Sequence, residues 1–391
     1  MDGLINVALM LVVLVVLIVA HEFGHFVLAR RAGVTVHEFG IGFPPRIATI
    51  GHLWGTPITL NAIPLGGFVK LEGENAAAAD ELDGNDATAN AAERPPIDPH
   101  SFAEQSLPTR LAILLAGVAM NALLAVVLFT GLAFAGYPSM TIHIGSFSQS
   151  VDPALATPSP ARTAGLRGDT LDDKGAVTSS GDTILAVDGR RFVWFDGPEA
   201  MLDYVRSRVG QTVTLTIRRA DGTETTVPVA LRDAAHARTE GAMGIIINAV
   251  SPGPAIQVGP LEAVGLGLQR TVATGTQVFA ALGTFISDIG HPQVTGPIGI
   301  AEAVGKTRSE GAVPLSFLYL VALLSANLAI LNVLPIPPMD GGRIATSLLR
   351  AVGRGRVGIR FERRAALVGF ALLLALVFWV GANDIARIGK G

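Results

Sequence analysis

Leu4-Ile-Asn-Val-Ala-Leu-Met-Leu-Val-Val-Leu-Val-Val-Leu-Ile-Val-Ala20 runs without a break into His21-Glu22-Phe23-Gly24-His25, and the reading of that join decides the fold. Crossing the hydrocarbon of a bilayer takes roughly 20 apolar residues in a helix. Residues four apart on a helix share a face, so His21 and His25 can bind one zinc ion while Glu22 is placed to act on the attacking water. An H-E-x-x-H motif at the end of an apolar run implies a zinc hydrolase inside a membrane.

The composition agrees with a membrane protein. Hydrophobic residues make up 50% of the chain and charged residues 16%, with a mean hydropathy of +0.48, well away from the usual soluble mixture. The chain has no cysteine, so disulfides and thiolate ligands are excluded and any metal must be held by His and carboxylate. The net charge of −3 gives no reason to expect nucleic acid as a partner.

Apolar windows of spanning length occur at Leu4–Ala29, Leu111–Gly136, Leu315–Leu334 and Ala365–Val380, which predicts four spans. The first lacks a basic leading region and a small-residue cleavage site, and reads as an anchor rather than a signal peptide. Arg343, Arg350 and the arginines from Arg354 to Arg364 crowd the loop between the last two spans, which the positive-inside rule places in the cytoplasm. Counting back, the N-terminus, residues from about 137 to 314 and the C-terminus are extracytoplasmic, and the loop from Arg30 to Arg110 is cytoplasmic.

This parity predicts a third ligand. The first and third spans run in the same direction, so the late residues of each reach the same, cytoplasmic side. Just after the third span, in Asn332-Val-Leu-Pro-Ile-Pro-Pro-Met-Asp340-Gly-Gly-Arg343, prolines stop the helix and Asp340 arrives at a depth comparable with His21 and His25. Two His and one carboxylate leave the fourth zinc position for water, the catalytic arrangement.

These residues resemble the site-2 intramembrane metalloproteases, in particular the bacterial RseP-type members. H-E-F-G-H in the first span and the Asn332 to Gly342 segment carry the resemblance. Matches between them are Val34 to Arg46, Pro64-Leu-Gly-Gly-Phe-Val-Lys70, Ala116-Gly117 to Asn121, and Gly296-Pro-Ile-Gly-Ile300, in matching order over nearly the whole chain. The resemblance implies a zinc-dependent endopeptidase of the inner membrane that cleaves single-span membrane proteins in or near the bilayer. Its substrates would be anti-sigma factors already shortened by another protease, or remnant signal peptides. It also implies that Asn332 steadies the transition state or substrate, and that Pro64 to Lys70 belong to a membrane-associated β-hairpin. Asn121 and Asn327 read instead as hydrogen bonders that pack helices.

Ile58 to Glu72 reads as two short extended runs about a turn at Leu65-Gly66-Gly67. An edge there, at Gly66, Gly67, Phe68, Val69 and Lys70, could pair with an unwound substrate. Ala164-Gly-Leu166 and Gly181 to Gly189 resemble a PDZ domain, followed by a helix at Pro198–Arg208 and strands at Thr212–Arg218 and Thr225–Leu231; Arg167 to Ser180 form an insertion within that pattern. Leu261 to Ile286 is interrupted by Gln269, Arg270 and Gln277 and reads as an interfacial helix.

The predicted fold is a membrane α-helical bundle of four transmembrane helices with a membrane-associated β-hairpin and an extracytoplasmic α+β PDZ-like domain. Residues 1–136 carry two spans, the hairpin (about 57–73) and an acidic flexible loop (about 74–100). Residues 137–252 form the PDZ-like domain, 253–314 an amphipathic interfacial segment, and 315–391 the last two spans with the Asp-Gly motif. A non-catalytic PDZ-bearing scaffold or receptor is the rival reading; it would tolerate loss of zinc and of Glu22.

Overall fold

The computed structural model describes residues 2–74, 98–147, 158–173, 175–287, 313–337, 339–352 and 364, and 367–381 apart from 373 and 377. It divides into two compact units, Met1–Gly131 with Val264–Gly391, and Leu132–Ala263. Most of the predicted acidic loop, residues 75–97, and the Gly296–Ile300 motif lie outside the described residues.

The first unit is built on α1 (Asp2–Arg31), α2 (Leu107–Ala135), α6 (Pro260–Ser287), α7 (Val313–Val333) and α8 (Asp340–Val352); α3 to α5 belong to the second unit. Leu4–Arg31, Leu107–Ala135 and Leu315–Val333 are long and apolar enough to cross a membrane. Val is common in α1 and favours strands in water, but in hydrocarbon a lone segment satisfies its backbone only as a helix. Val12, Leu123 and Val127 stay more than half exposed, as side chains do when lipid is the solvent. The fourth predicted span corresponds to a shorter apolar helix, Leu367–Gly381.

The spans meet through a small apolar cluster. Val13, Leu17 and Val321 are buried together, with Leu124 and Leu128 packed against them, and the Phe129 and Tyr319 rings meet edge to face at 5.5 Å. A Cβ on Gly24 would stand 2.2 Å from the Ala116 carbonyl oxygen, so α1 and α2 approach backbone to backbone there. The α6 helix lies along α2 and α7: a Cβ on Gly267 would meet Thr130 Oγ1 at 2.2 Å, and one on Gly275 would meet Ile330 Cδ1 at 2.8 Å.

Between α1 and α2 the chain forms two long bent strands, β1 (Val36–Leu53) and β2 (Thr56–Leu71). The turn joining them is Trp54-Gly55, both at positive φ (50° and 81°), the geometry that matches strand twist in a two-residue hairpin. The predicted turn at Leu65-Gly66-Gly67 is therefore corrected: these residues lie inside β2. The two bends make four runs of the two strands. Residues 36–41 stand opposite 67–71, and Phe39, Gly40 and Ile41 also stand opposite Ile58, Thr59 and Leu60, while 46–53 pair with 56–61. Residues 67–71 have register partners only in 36–41, which leaves them as an edge of this sheet. Phe26, Val34, Val36, Phe39, Val69 and Leu71 bury one face of the sheet against the end of α1.

The second unit holds a five-stranded sheet in the order β8 (Glu224–Ala230), β7 (Thr212–Arg218), β6 (Thr183–Val187), β3 (Tyr137–Phe147), β9 (Ile245–Ile256). Its helices are α3 (Pro160–Thr163), α4 (Gly197–Arg206) and α5 (Ala234–Glu240). Alternation along β7 sends Val213, Leu215 and Ile217 inward, where each is fully buried with Ile142, Ile144 and Val229. The insertion from Arg167 to Ser180 folds as a small separate hairpin, β4 (Thr170–Leu171) with β5 (Val177–Ser179). Asp169 anchors its base by accepting hydrogen bonds from the Gly181 N–H (2.8 Å), His143 Nε2 (2.7 Å) and Asn248 Nδ2 (2.8 Å). Burial alone would raise the Asp169 pKa, but these bonds outweigh it and hold the carboxyl below its ordinary value.

Candidate active site

The H-E-x-x-H turn of α1 faces the first turn of α8. His21 Nε2 and His25 Nε2 lie 3.0 and 3.2 Å from Asp340 Oδ2 and 3.2 Å from each other. Both histidines are buried, with relative exposures of 8%. Asp340 reaches this position because of how α7 ends. The chain turns back after Val333, and α8 starts directly against the Val333 and Leu334 carbonyls. A Cβ on Gly341 would stand 2.2 Å from both the Val333 and Leu334 oxygens, and one on Gly342 would stand 2.7 Å from Pro337 N. The two glycines are helical residues without room for a side chain rather than turn residues.

The arrangement fits a zinc ion. Ligands at the usual 2.0–2.1 Å from a tetrahedral zinc are about 3.3 Å apart, close to the separations found here. Asp340 Oδ2 is buried and has no hydrogen-bond partner, although two ring nitrogens lie near it. The near approach and the missing hydrogen bond are compatible if both Nε2 atoms present lone pairs. In that tautomer three acceptors converge on one point, and such a set calls for a cation. The remaining ring nitrogen of His25, Nδ1, lies 2.8 Å from the Ile113 carbonyl, which can only accept; this fixes the proton on Nδ1 and frees Nε2.

Glu22, His25, Asp340, Gly67, Phe68 and Val69 line one cavity of about 180 Å³. A Cβ on Gly67 would meet Ile18 Cγ2 at 2.9 Å and Glu22 Cγ at 3.2 Å, so the sheet edge passes directly over the glutamate. Arg343, which also lines this cavity, bridges from α8 to Glu74 at 2.7 Å, tying the segment just after β2 to the Asp340 helix.

The structure thus brings together His21, Glu22, His25 and Asp340, with Gly67, Phe68 and Val69 beside them. Gly66 does not line the cavity; it is buried, and a Cβ there would enter the Phe43 ring. Lys70 points to the exposed side. Asn332 lies in the last turn of α7, half-buried, and is also outside the cavity lining. Two residues of α2 were not read as functional from sequence. Gly117 backs the two histidines, since a Cβ there would stand 2.3 Å from His25 Nε2, and Asn121 Nδ2 lies 3.4 Å from His21 Nδ1. Their i, i+4 spacing, which puts both on one face, was the available signal.

Comparison with known proteins agrees with this geometry. The model of "Peptidase family M50" matches residues 9–376. The chain is 30% identical over 396 residues to "Putative zinc metalloprotease Atu1380" of Agrobacterium fabrum, covering 97% of this chain and 95% of that one. It is 27% identical over 444 residues to "Zinc metalloprotease RasP" of Geobacillus kaustophilus, covering 96% and 97%. A family match over almost the whole length, with the H-E-x-x-H motif inside it, places the chain in peptidase family M50 as a membrane-embedded, zinc-dependent metalloprotease of the site-2 type.

Proposed function

We propose that this chain is an RseP-type intramembrane endopeptidase that hydrolyses peptide bonds in or near the transmembrane segment of single-span membrane proteins. His21, His25 and Asp340 hold the zinc, and Glu22 is the general base and then the general acid. The observation that carries this reading is the convergence of two ring nitrogens and one orphaned carboxylate oxygen in a cavity that also contains Glu22 and a sheet edge. Zinc held there supplies Lewis acidity toward the scissile carbonyl and makes water more acidic. Glu22 takes the proton from the attacking water and returns it to the leaving amine. Because a helical substrate hides its amides, it must unwind to be cut; the free edge at residues 67–71 offers backbone partners to such an extended segment.

In this reading the bundle has four spans in a bacterial cytoplasmic membrane, with the site toward the cytoplasm and the PDZ-like domain, residues 137–252, outside. Asn332 contacts the substrate or transition state, and an upstream protease shortens the substrate first. The test is zinc per chain in detergent-solubilised protein, together with cleavage of a single-span reporter in vesicles. About one zinc in the wild type, lost in His25→Ala and Asp340→Ala, with cleavage abolished and zinc kept in Glu22→Gln, supports the assignment. Zinc binding indifferent to Asp340 overturns the ligand set, and cleavage unaffected by Glu22→Gln overturns the catalytic role.

A further inference from the structure

The two histidines differ in what holds their far ring nitrogen. His25 Nδ1 faces a backbone carbonyl from α2, that of Ile113. His21 Nδ1 faces the Asn121 side chain, also from α2 and two turns further on. Asn121 is fully buried, with a relative exposure of 0%, and its Oδ1 has no hydrogen-bond partner. Its backbone is fixed from the third span, where the buried Ser325 donates its hydroxyl to the Asn121 carbonyl at 2.8 Å. One chain of contacts therefore runs from α7 through α2 to a metal-facing ring on α1.

The amide stands with its nitrogen toward His21 Nδ1. In that orientation the amide N–H would donate to an Nδ1 lone pair, the proton of the neutral ring would sit on Nε2, and Nε2 could not face a metal. The oxygen and nitrogen of an Asn amide exchange places on a half-turn, and their assignment rests on the hydrogen-bond network. The half-turn only exchanges which amide atom lacks a partner, so the tautomer decides between the orientations. With Oδ1 toward the ring, Asn121 accepts from Nδ1–H and Nε2 is left with its lone pair, as at His25.

We propose that Asn121 is a positioning residue for the zinc site, holding His21 through its side-chain carbonyl in the tautomer and orientation that present Nε2. This rests on the ligand set proposed above. It makes a specific demand: position 121 must accept a hydrogen bond, and need not donate one.

The test is zinc affinity of the full chain in detergent, by competition with a chromophoric chelator, together with the visible spectrum of the Co²⁺-loaded protein, for Asn121→Asp, Asn121→Leu and His25→Ala. A carboxylate accepts but does not donate, whereas Leu fills the space and does neither. Removing such an outer partner typically costs 10- to 100-fold in metal affinity, so Asn121→Leu is expected to lose roughly that much and Asn121→Asp to stay within about threefold of wild type. Of the two Asn121 variants, only Asn121→Leu is expected to shift the Co²⁺ bands, whereas His25→Ala loses them with the metal. Asn121→Asp weakened as much as Asn121→Leu, or Asn121→Leu indistinguishable from wild type, would overturn the proposal and return Asn121 to helix packing. If Asn121→Leu does not fold, Asn121→Asp alone decides, because a donor role predicts its loss and an acceptor role its retention. Failure of the ligand set itself is recognised separately, by His25→Ala binding zinc like the wild type.

Discussion

At the scale of single residues, the site depends as much on missing side chains as on those present. Gly117→Ala puts a methyl group where His25 Nε2 stands, and zinc binding is expected to weaken by roughly 10-fold or more, the usual effect of disturbing a ligand's orientation. Gly131→Ala, on the same helix with nothing within 4 Å, is expected to leave zinc binding unchanged, and chelator competition compares the two. Glu22→Gln keeps size and removes the proton-accepting charge. Its cleavage rate is expected to fall about 10²- to 10⁴-fold with zinc content intact, read by single-turnover cleavage of a vesicle-embedded reporter. The sequence made His21, His25 and Asp340 visible because their spacing and the parity of the spans leave little freedom in where they can meet. Asn121 was not visible as a site residue, since a buried Asn in a span is also what joins helices to one another.

At the scale of elements, the sheet between α1 and α2 shows why a glycine pair is ambiguous in sequence. Gly66-Gly67 has the composition of a turn, yet these residues lie within β2: one makes room for the Phe43 ring, the other for Ile18 and Glu22. The turn belongs to Trp54-Gly55, where only one residue of the pair is a glycine. Turn propensity and close backbone approach select the same residue for different reasons, and nothing local tells them apart. Gly67→Val places branched carbons against Glu22 and the edge. Its kcat/KM on the reporter is expected to fall about 10- to 100-fold, as displaced reacting groups do, with one zinc per chain retained. A variant as active as the wild type would remove the edge from the substrate path.

At the scale of the whole molecule, each unit has its own apolar core. Leu215→Ala in the second unit removes a fully buried side chain and is expected to cost about 2–5 kcal/mol in that unit's opening free energy, measured by hydrogen exchange of the full chain. Zinc content should not change, as every proposed ligand belongs to the first unit. The same measurement tests Asp169. Its depressed folded pKa means that its contribution is present above the unfolded value of about 3.9 and is lost as pH falls through the folded one. Protection of the Gly181 amide, which donates to Asp169, should therefore drop on acidification in the wild type and be low and nearly pH-independent across that range in Asp169→Asn. The strands of this unit were legible from alternation and Gly-Asp turns, whereas the anchoring of its insertion by Asp169 was not, because His143 and Asn248 are far from it in sequence. The placement of Asp340 against the α1 histidines has a further consequence for biosynthesis. Two of the proposed ligands are translated at the start of the chain and the third near its end, with an entire folded unit between them. A nascent chain still short of Asp340 carries two of the three proposed ligands and lacks the carboxylate that completes the set, so the order of synthesis itself is expected to keep an unfinished protease inert while its first helix is already in place.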